Sequence, residues 1–270
     1  MKPLIVCKQT TVQDKKMNQP PPLNIGILGT GHIGKTLARK LAAAGHNVKV
    51  ANSRGPETIE AETLETGALP VKAEQTVSDV DVLILSIPLM RIPEISQLIR
   101  DLPADVIVAD TSNYYPHRDQ KIDAIEGGQV ESLWVEEQLG RPVIKAWNAI
   151  GSGSFAAKGK PAGAEGRIAI PVTGDNKEHR ELIMKLVSDT GFDAYDAGSL
   201  AESWRQQPGS PVYCTDLHYD EISAALASTE ASRLATRRDL AAAIFQERAG
   251  DSRTNPDADF GVQVSRIIFM

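Results

Sequence analysis

Gly29, Gly31 and Gly34 stand at the Gly-x-Gly-x-x-Gly spacing, directly after the apolar positions Leu23, Ile25, Ile27 and Leu28. Each glycine answers a separate need when a diphosphate has to come close to a backbone. The first makes the tight turn out of a strand, the second leaves no β-carbon in the way of the phosphates, and the third lets the following helix pack closely on the sheet. Thr30, His32 and Ile33 complete the turn, and the helix that begins there offers N–H groups and the positive end of its dipole to an anion. About 20 residues beyond such a turn, an acidic side chain would bind the ribose of NAD. This chain has Asn52-Ser53-Arg54 at that place instead. A carboxylate there would repel a 2′-phosphate, whereas the Ser53 hydroxyl and the planar, permanently charged Arg54 guanidinium suit one, so the expected coenzyme is NADP.

The elements that must carry these residues are legible on either side. Ile33, Leu37, Ala38, Leu41 and Ala42 share one face of a helix, with Lys35, Arg39 and Lys40 off it, and Gly45 suits a left-handed C-terminal cap. His46 to Ala51 reads as a second strand. Pro56 to Thr66 is expected to be a helix closed by Gly67, and Leu69 to Ala73 a short strand. The nearly unbroken apolar run 81–88 has the pattern of a central parallel strand covered on both faces. Ile92 to Arg100 reads as a helix, Asp105 to Asp110 as a strand, Glu131 to Leu139 as a helix and Pro142 to Asn148 as a sixth strand. Strands alternating with helices predict an α/β fold, a Rossmann-type doubly wound parallel sheet. In that architecture ligands lie outside the carboxyl ends of the strands, so Ser86-Ile87-Pro88, Thr111 to Asn113 and Ala146 to Ile150 should converge beside the nicotinamide.

Past Gly151 the texture changes. Gly151-Ser152-Gly153-Ser154 lacks the offsets of a hydrolase elbow and reads as a flexible loop. Arg167 to Gly174 is a strand interrupted by Pro171 and so belongs at an edge. Asn176 to Thr190 is a helix, Phe192 to Asp196 a strand, and the alanine-rich stretch from Asp216 to about Ala249 one or two helices. The expected organisation is an N-terminal extension at 1–22, an NADP-binding domain at 23–150, and a smaller α/β and helical region at 151–270 that carries the substrate and dimer side. Met17 reads as a natural start.

Composition narrows the function classes. Hydrophobic residues make up 41% and charged residues 24%, ordinary values for a globular chain. Net charge is −6 with no long basic run, which argues against nucleic acid or an anionic membrane as partner. No apolar stretch approaches the roughly 20 residues of a membrane span, and the opening segment is too short for a signal-peptide core. Cys7 and Cys214 match no metal or redox spacing and read as free thiols of a reducing cytoplasm. Histidines 32, 46, 117, 179 and 218 form no ligand pair, so no metal site is expected.

Several motifs together make the chain resemble the deazaflavin (coenzyme F-420)-dependent NADP reductase family. They are the turn Gly29 to Gly34, Ser53-Arg54, Ser86-Ile87-Pro88, Val143 to Asn148, Val172 to Asn176, Gly191-Phe192-Asp193 and Asp196 to Leu200. The resemblance spans roughly residues 23 to 205. It implies that Thr30, Gly31, His32 and Ile33 hold the diphosphate, that Ser53 and Arg54 hold the 2′-phosphate, and that Ile87, Pro88 and Ala146 border the nicotinamide. It also implies a homodimer through the C-terminal part.

Hydride transfer between two flat rings needs face-to-face positioning more than acid–base side chains. The chain shows no Ser-His-Asp set or paired carboxylates, and no catalytic acid is assigned. Tyr114, Tyr115, His117, Trp147 and Asn148 are candidates for steering a substrate. Against that, Trp147 suits a strand-end core position, and Tyr114 to His117 an ordinary surface loop. Three functions stay open. One is an NADP-linked reductase of a deazaflavin, flavin or similar planar acceptor. Another is an NADPH-dependent imine, carbonyl or metal reductase. The third is a non-enzymatic NADPH-sensing module.

Overall fold

The structure is a computed structural model, and it describes residues 21–249 and 257–270. The expected extension at 1–22, Cys7 and Met17 therefore fall wholly or almost wholly outside the described residues.

Six parallel strands form the main sheet: β1 Asn24–Leu28, β2 Asn47–Ala51, β3 Leu69–Pro70, β4 Val82–Leu85, β5 Ile107–Asp110 and β6 Ile144–Lys145, in the order β3-β2-β1-β4-β5-β6. β4 shows why its sequence is apolar throughout. Successive side chains of a strand point to opposite faces. Val82 and Ile84 join one hydrophobic cluster with Leu37 and Leu41, while Leu83 and Leu85 join another with Trp134 and Leu139. Helix α1 (His32–Ala43) supplies the first of these pairs. Helices α2 (Ile92–Arg100) and α3 (Glu131–Leu139) pack together on the other face, and Gly140 ends α3 in a left-handed conformation. Strand order and burial together establish the Rossmann-type doubly wound α/β sheet expected from the sequence.

Four expectations need correction. The segment 56–66 is not one helix. A single 3-10 turn, Pro56–Thr58, is separated from a four-residue helix, Ala61–Leu64, by extended backbone at Ile59, whose side chain is buried in the core. β3 is limited to two residues. The sixth strand is reduced to Ile144–Lys145 because Trp147 adopts φ +56°, which no strand accommodates. Gly151 to Ser154 is not a flexible loop, since Gly151 is the N-cap of helix α4 (Ser152–Ala157), with Phe155 fully buried.

Beyond α4, strands β7 (Ala169–Val172) and β8 (Asp193–Asp196) pair in parallel, with helix α5 (Lys177–Asp189) between them in sequence. Pro171 lies in β7, which among the described residues forms a two-stranded sheet with β8, the edge position expected. An antiparallel bridge from Lys145 to Thr173 joins this small sheet to the large one, and one hydrophobic cluster runs from Ile25 through Ile170 to Phe192. Helices α6 (Tyr219–Ala227), α7 (Leu234–Ala249) and α8 (Ala258–Phe269) complete the helical C-terminal region.

Candidate functional site

The glycine turn takes the shape its spacing demands. Gly29 leaves β1 with φ +110°, and a β-carbon there would overlap the Ser86 carbonyl oxygen. At Gly34 a β-carbon would overlap the Gly29 carbonyl oxygen, so close helix–strand packing depends on its absence. Gly31 differs. Its backbone is ordinary, φ −69°, and nothing lies within 4 Å of where its β-carbon would be. It is the N-cap of α1, and no side chain caps that helix end. The open face of Gly31 and the uncapped N–H groups beyond it fit a diphosphate.

Asn52 ties this turn to the loop after β2. Its Nδ2 donates to Thr30 Oγ1 at 3.3 Å and to Thr58 Oγ1 at 3.0 Å, and its Oδ1 accepts from the Arg54 N–H at 2.9 Å. Ser53 and Arg54 are exposed, and the Arg54 guanidinium makes no ion pair among the described residues. Those residues fit the extra phosphate of NADP. Ser86 hangs from β1 by its N–H, 2.8 Å from the Leu28 carbonyl, and Ile87 and the exposed Pro88 follow it at the carboxyl end of β4.

At the ends of β5 and β6 the geometry is tighter. Asn113 Nδ2 donates to the Asn148 carbonyl at 3.0 Å, and Asn148 Nδ2 returns a bond to Asn113 Oδ1 at 3.1 Å. Gln206, from the 3-10 segment Leu200–Gln206, donates to Asn148 Oδ1 at 2.8 Å. Beneath them Lys145 and Asp110, both fully buried, form an ion pair of 2.6 Å, and Lys145 Nζ also donates to the Ser112 carbonyl at 2.6 Å. Ala146, fully buried, donates to the Asp110 carbonyl. Glu131 accepts the Tyr114 N–H at 3.0 Å; its burial pushes the carboxyl up to about 7, with Lys145 and Arg238 acting in the opposite direction.

A cleft of about 240 Å³ opens where these strand ends meet the C-terminal helices. Ile33, Asn148, Tyr115 and Trp147, all singled out in the sequence, line it. Tyr114 and His117 do not. Tyr114 is fully buried, its hydroxyl donating to Glu126 at 2.8 Å, so the surface-loop reading fails for it, while His117 is exposed and packs edge-on to Tyr115. Trp147 is fully buried with its indole N–H directed to Thr190 Oγ1, as a core residue would be, and it still forms part of the cleft wall.

Sequence reasoning missed Tyr213 and Cys214, and with them the wall supplied by Phe245, Val262 and Phe269. The Tyr213 hydroxyl lies 2.9 Å from that of Tyr115. Burial raises both phenols far above the ordinary range and pushes the Cys214 thiol up to about 12. The one available signal was weak: a lone tyrosine–cysteine pair ahead of an alanine-rich tail.

Among known proteins, residues 24–114 match the family model described as NADP oxidoreductase, coenzyme F420-dependent. A stretch of 56 residues is 54% identical to the YjhV protein of Escherichia coli (strain K12), taking in 21% of this chain; the chain thus spans only 41% of that curated relative's length. The crystal structure of the hypothetical protein SMa0349 from Sinorhizobium meliloti is similar at TM-score 0.61 and 28% identity, covering 75% of this chain and 98% of that one. A structure from Arthrobacter, provisionally described as an F420-dependent NADP reductase, is similar at TM-score 0.53 and 15% identity over 86% of this chain and 96% of the other. Glycerol-3-phosphate dehydrogenase from Coxiella burnetii reaches TM-score 0.52 at 16% identity, over 91% and 81% respectively. At those two lower identities the likeness concerns the fold alone. The resemblance drawn from the glycine turn and its flanking strands is therefore borne out: residues 24–114 match the F420-dependent NADP oxidoreductase family model, within a fold shared with the glycerol-3-phosphate dehydrogenase structure.

Proposed function

We propose that this chain is an NADP(H)-dependent oxidoreductase that passes a hydride between the coenzyme and a planar acceptor, such as a deazaflavin or flavin, seated in the cleft. The observation that carries this reading is the pairing of an open, uncapped α1 N-terminus at Gly31 with the exposed Arg54 guanidinium, which has no ion pair among the described residues, on the neighbouring loop. Bound there, the coenzyme supplies a two-electron donor at its nicotinamide ring. The chain does the rest. Gly31 and the N–H groups of α1 hold the diphosphate, and Asn52 fixes the loop on which Ser53 and Arg54 meet the 2′-phosphate. Ser86, Ile87, Pro88 and Asn148 border the ring at the strand ends, with the fully buried Ala146 behind them. The Asn113–Asn148 clamp holds two of those strand ends in register, which keeps an acceptor ring at a fixed distance from the nicotinamide.

The family description supports the deazaflavin as acceptor, and a homodimer in the cytoplasm completes the proposal. No helix among the described residues is long and apolar enough to cross a membrane.

Fluorescence titration with NADPH, comparing the parent with Gly31→Val, tests the nucleotide half. The side chain enters open space, so the melting temperature should stay put while NADPH affinity falls about a hundredfold or more, roughly 3 kcal/mol, from loss of the backbone–phosphate contacts. Unchanged affinity would refute the diphosphate site. NADPH binding without oxidation by any of deazaflavin, FMN, cyclic imines, quinones or ferric chelates would leave a sensing module in place of an enzyme.

A further inference from the structure

Two hydroxyl groups meet in the cleft, and the nucleotide site makes no use of them. Tyr115 follows β5, and Tyr213 lies far along the chain, yet their phenolic oxygens are 2.9 Å apart and both side chains line the cavity. Two phenols in contact have two protons, and one of these suffices for the bridge. The other is free for a ligand. The Tyr115 ring is firmly placed: its backbone N–H is held by Asp119 Oδ2 at 2.9 Å, the Arg118 guanidinium lies 5.4 Å from its centroid, and His117 abuts its edge.

The walls around this pair point the same way. Trp147 and Cys214, both lining the cleft, hold φ values of +56° and +57°, a left-handed conformation that is costly for a side chain as bulky as tryptophan. Strain of this kind persists where the surroundings enforce it, and it gathers at binding sites. Ser265, 1% exposed, lines the same cleft, and its hydroxyl has no hydrogen-bond partner among the described residues. Asn113 and Asn148 are committed to each other and to Gln206, so they have little left to offer an acceptor. Among the described residues no Lys or Arg lines the cavity, and its only charged lining residue is Asp257. The lining itself therefore offers an anionic acceptor no positive charge among the described residues.

Resting on the oxidoreductase reading above, we propose that Tyr115 is the proton donor of this cleft, with Tyr213 behind it as relay, and that the acceptor is an uncharged flat ring with a polarised C=N or C=O bond. The step balances. A bound NADPH would supply a hydride, with its electron pair, to the carbon of that bond. The π pair moves onto nitrogen or oxygen, which takes the Tyr115 proton. Tyr213 passes its proton to Tyr115 and is itself reprotonated from water. The products are NADP⁺ and the reduced C–H, N–H or O–H compound. Burial keeps both phenols and the Cys214 thiol protonated at any neutral pH, so the relay is always loaded. A simple cyclic imine or ketone reacts in this way directly, and a deazaflavin ring does so by conjugation, taking the hydride at C5 while the electron pair and the proton reach N1; the test separates them.

The probes are 5-deazariboflavin, 3,4-dihydroisoquinoline and its N-methyl iminium salt, which needs no proton because its nitrogen is already cationic. Direct titration first establishes that the parent and Tyr115→Phe bind NADPH equally; failure of the parent to bind would sink the oxidoreductase reading itself and not this one. Tyr115→Phe should then lower kcat with the neutral imine or the deazaflavin by about a hundredfold or more, the scale of general acid catalysis. With the N-methyl iminium salt the loss should stay within about threefold. Tyr213→Phe should fall between the two. Whichever neutral probe turns over identifies the source of the acceptor. Equal losses with neutral and methylated probes would reduce Tyr115 to a packing residue and overturn the proposal. Where no probe turns over, binding of 3,4-dihydroisoquinolin-1-one to the NADPH-loaded protein decides: the lactam should bind the parent and bind Tyr115→Phe about tenfold more weakly. No binding to the parent, or equal binding to both, overturns the proposal as well.

Discussion

The two ends of the site are built in opposite ways. The phosphate-binding part of the nucleotide end draws mainly on one stretch of sequence, from β1 to Arg54, with Gly34 seated against Gly29 and Arg54 held by Asn52. The cleft end draws on residues from all over the chain. Tyr115 and Tyr213 meet across 98 positions, Asn148 and Gln206 across 58. The first end is a local motif mounted on a sheet, with its ligand-facing surface left open. The second is a product of tertiary packing, and it is held by buried charge and by strained backbone. Coenzyme recognition can therefore survive changes in the remainder of the molecule, whereas acceptor recognition depends on how the C-terminal helices come to rest.

The sharpest way to break this contrast is to attack the buried charge beneath the cleft. Asp110→Ala removes the carboxylate that Lys145 is bonded to in a fully buried setting, and it should cost about 3–5 kcal/mol in denaturant unfolding. A loss under about 1 kcal/mol would mean that water reaches the ammonium group, and the cleft end would be no more tightly built than the nucleotide end. Next comes a pH effect. The Glu131 carboxyl sits at about 7 in the folded chain against an ordinary value of 4.5. A raised folded value means that its contribution is fully present below pH 4.5 and is lost as pH rises through 7. Glu131→Gln keeps an acceptor for the Tyr114 N–H and removes the titration. The variant should gain roughly 3 kcal/mol on the parent between pH 5 and pH 8, read from parallel unfolding curves. Parallel stability of the two proteins across that range would contradict it. The smallest effect belongs to the open end. Arg54→Ala should weaken NADPH binding about 10- to 100-fold, as for a lost charge-assisted contact, while NADH affinity and melting temperature hardly move. An equal loss for both coenzymes would remove the 2′-phosphate role.

The sheet was readable because its strands are short apolar runs separated by amphipathic helices, and burial on both faces leaves that pattern undisguised in β4. The coenzyme turn was readable because its spacing is set by local geometry. Trp147 could not be placed, since nothing in Ile144 to Asn148 signals a left-handed residue that ends the strand early. Gly151 to Ser154 misled for a related reason: glycine and serine are weak helix formers, and α4 owes its existence to Phe155 buried against Phe192. Tyr213 and Cys214 carry no spacing rule at all. Their relation to Tyr115 exists only once the chain has folded, and a single sequence has no term for it.

Helix α4 stands between α1 and α8, and it touches both. On the α8 side the clearance is minimal, since a β-carbon on Gly153 would come within 3.0 Å of Ala258. Any shift of α8 toward α4 would therefore press on α4, and through it on α1, whose first turn is the proposed diphosphate site. Whatever factor a guest in one chamber lends to the other must be returned in equal measure.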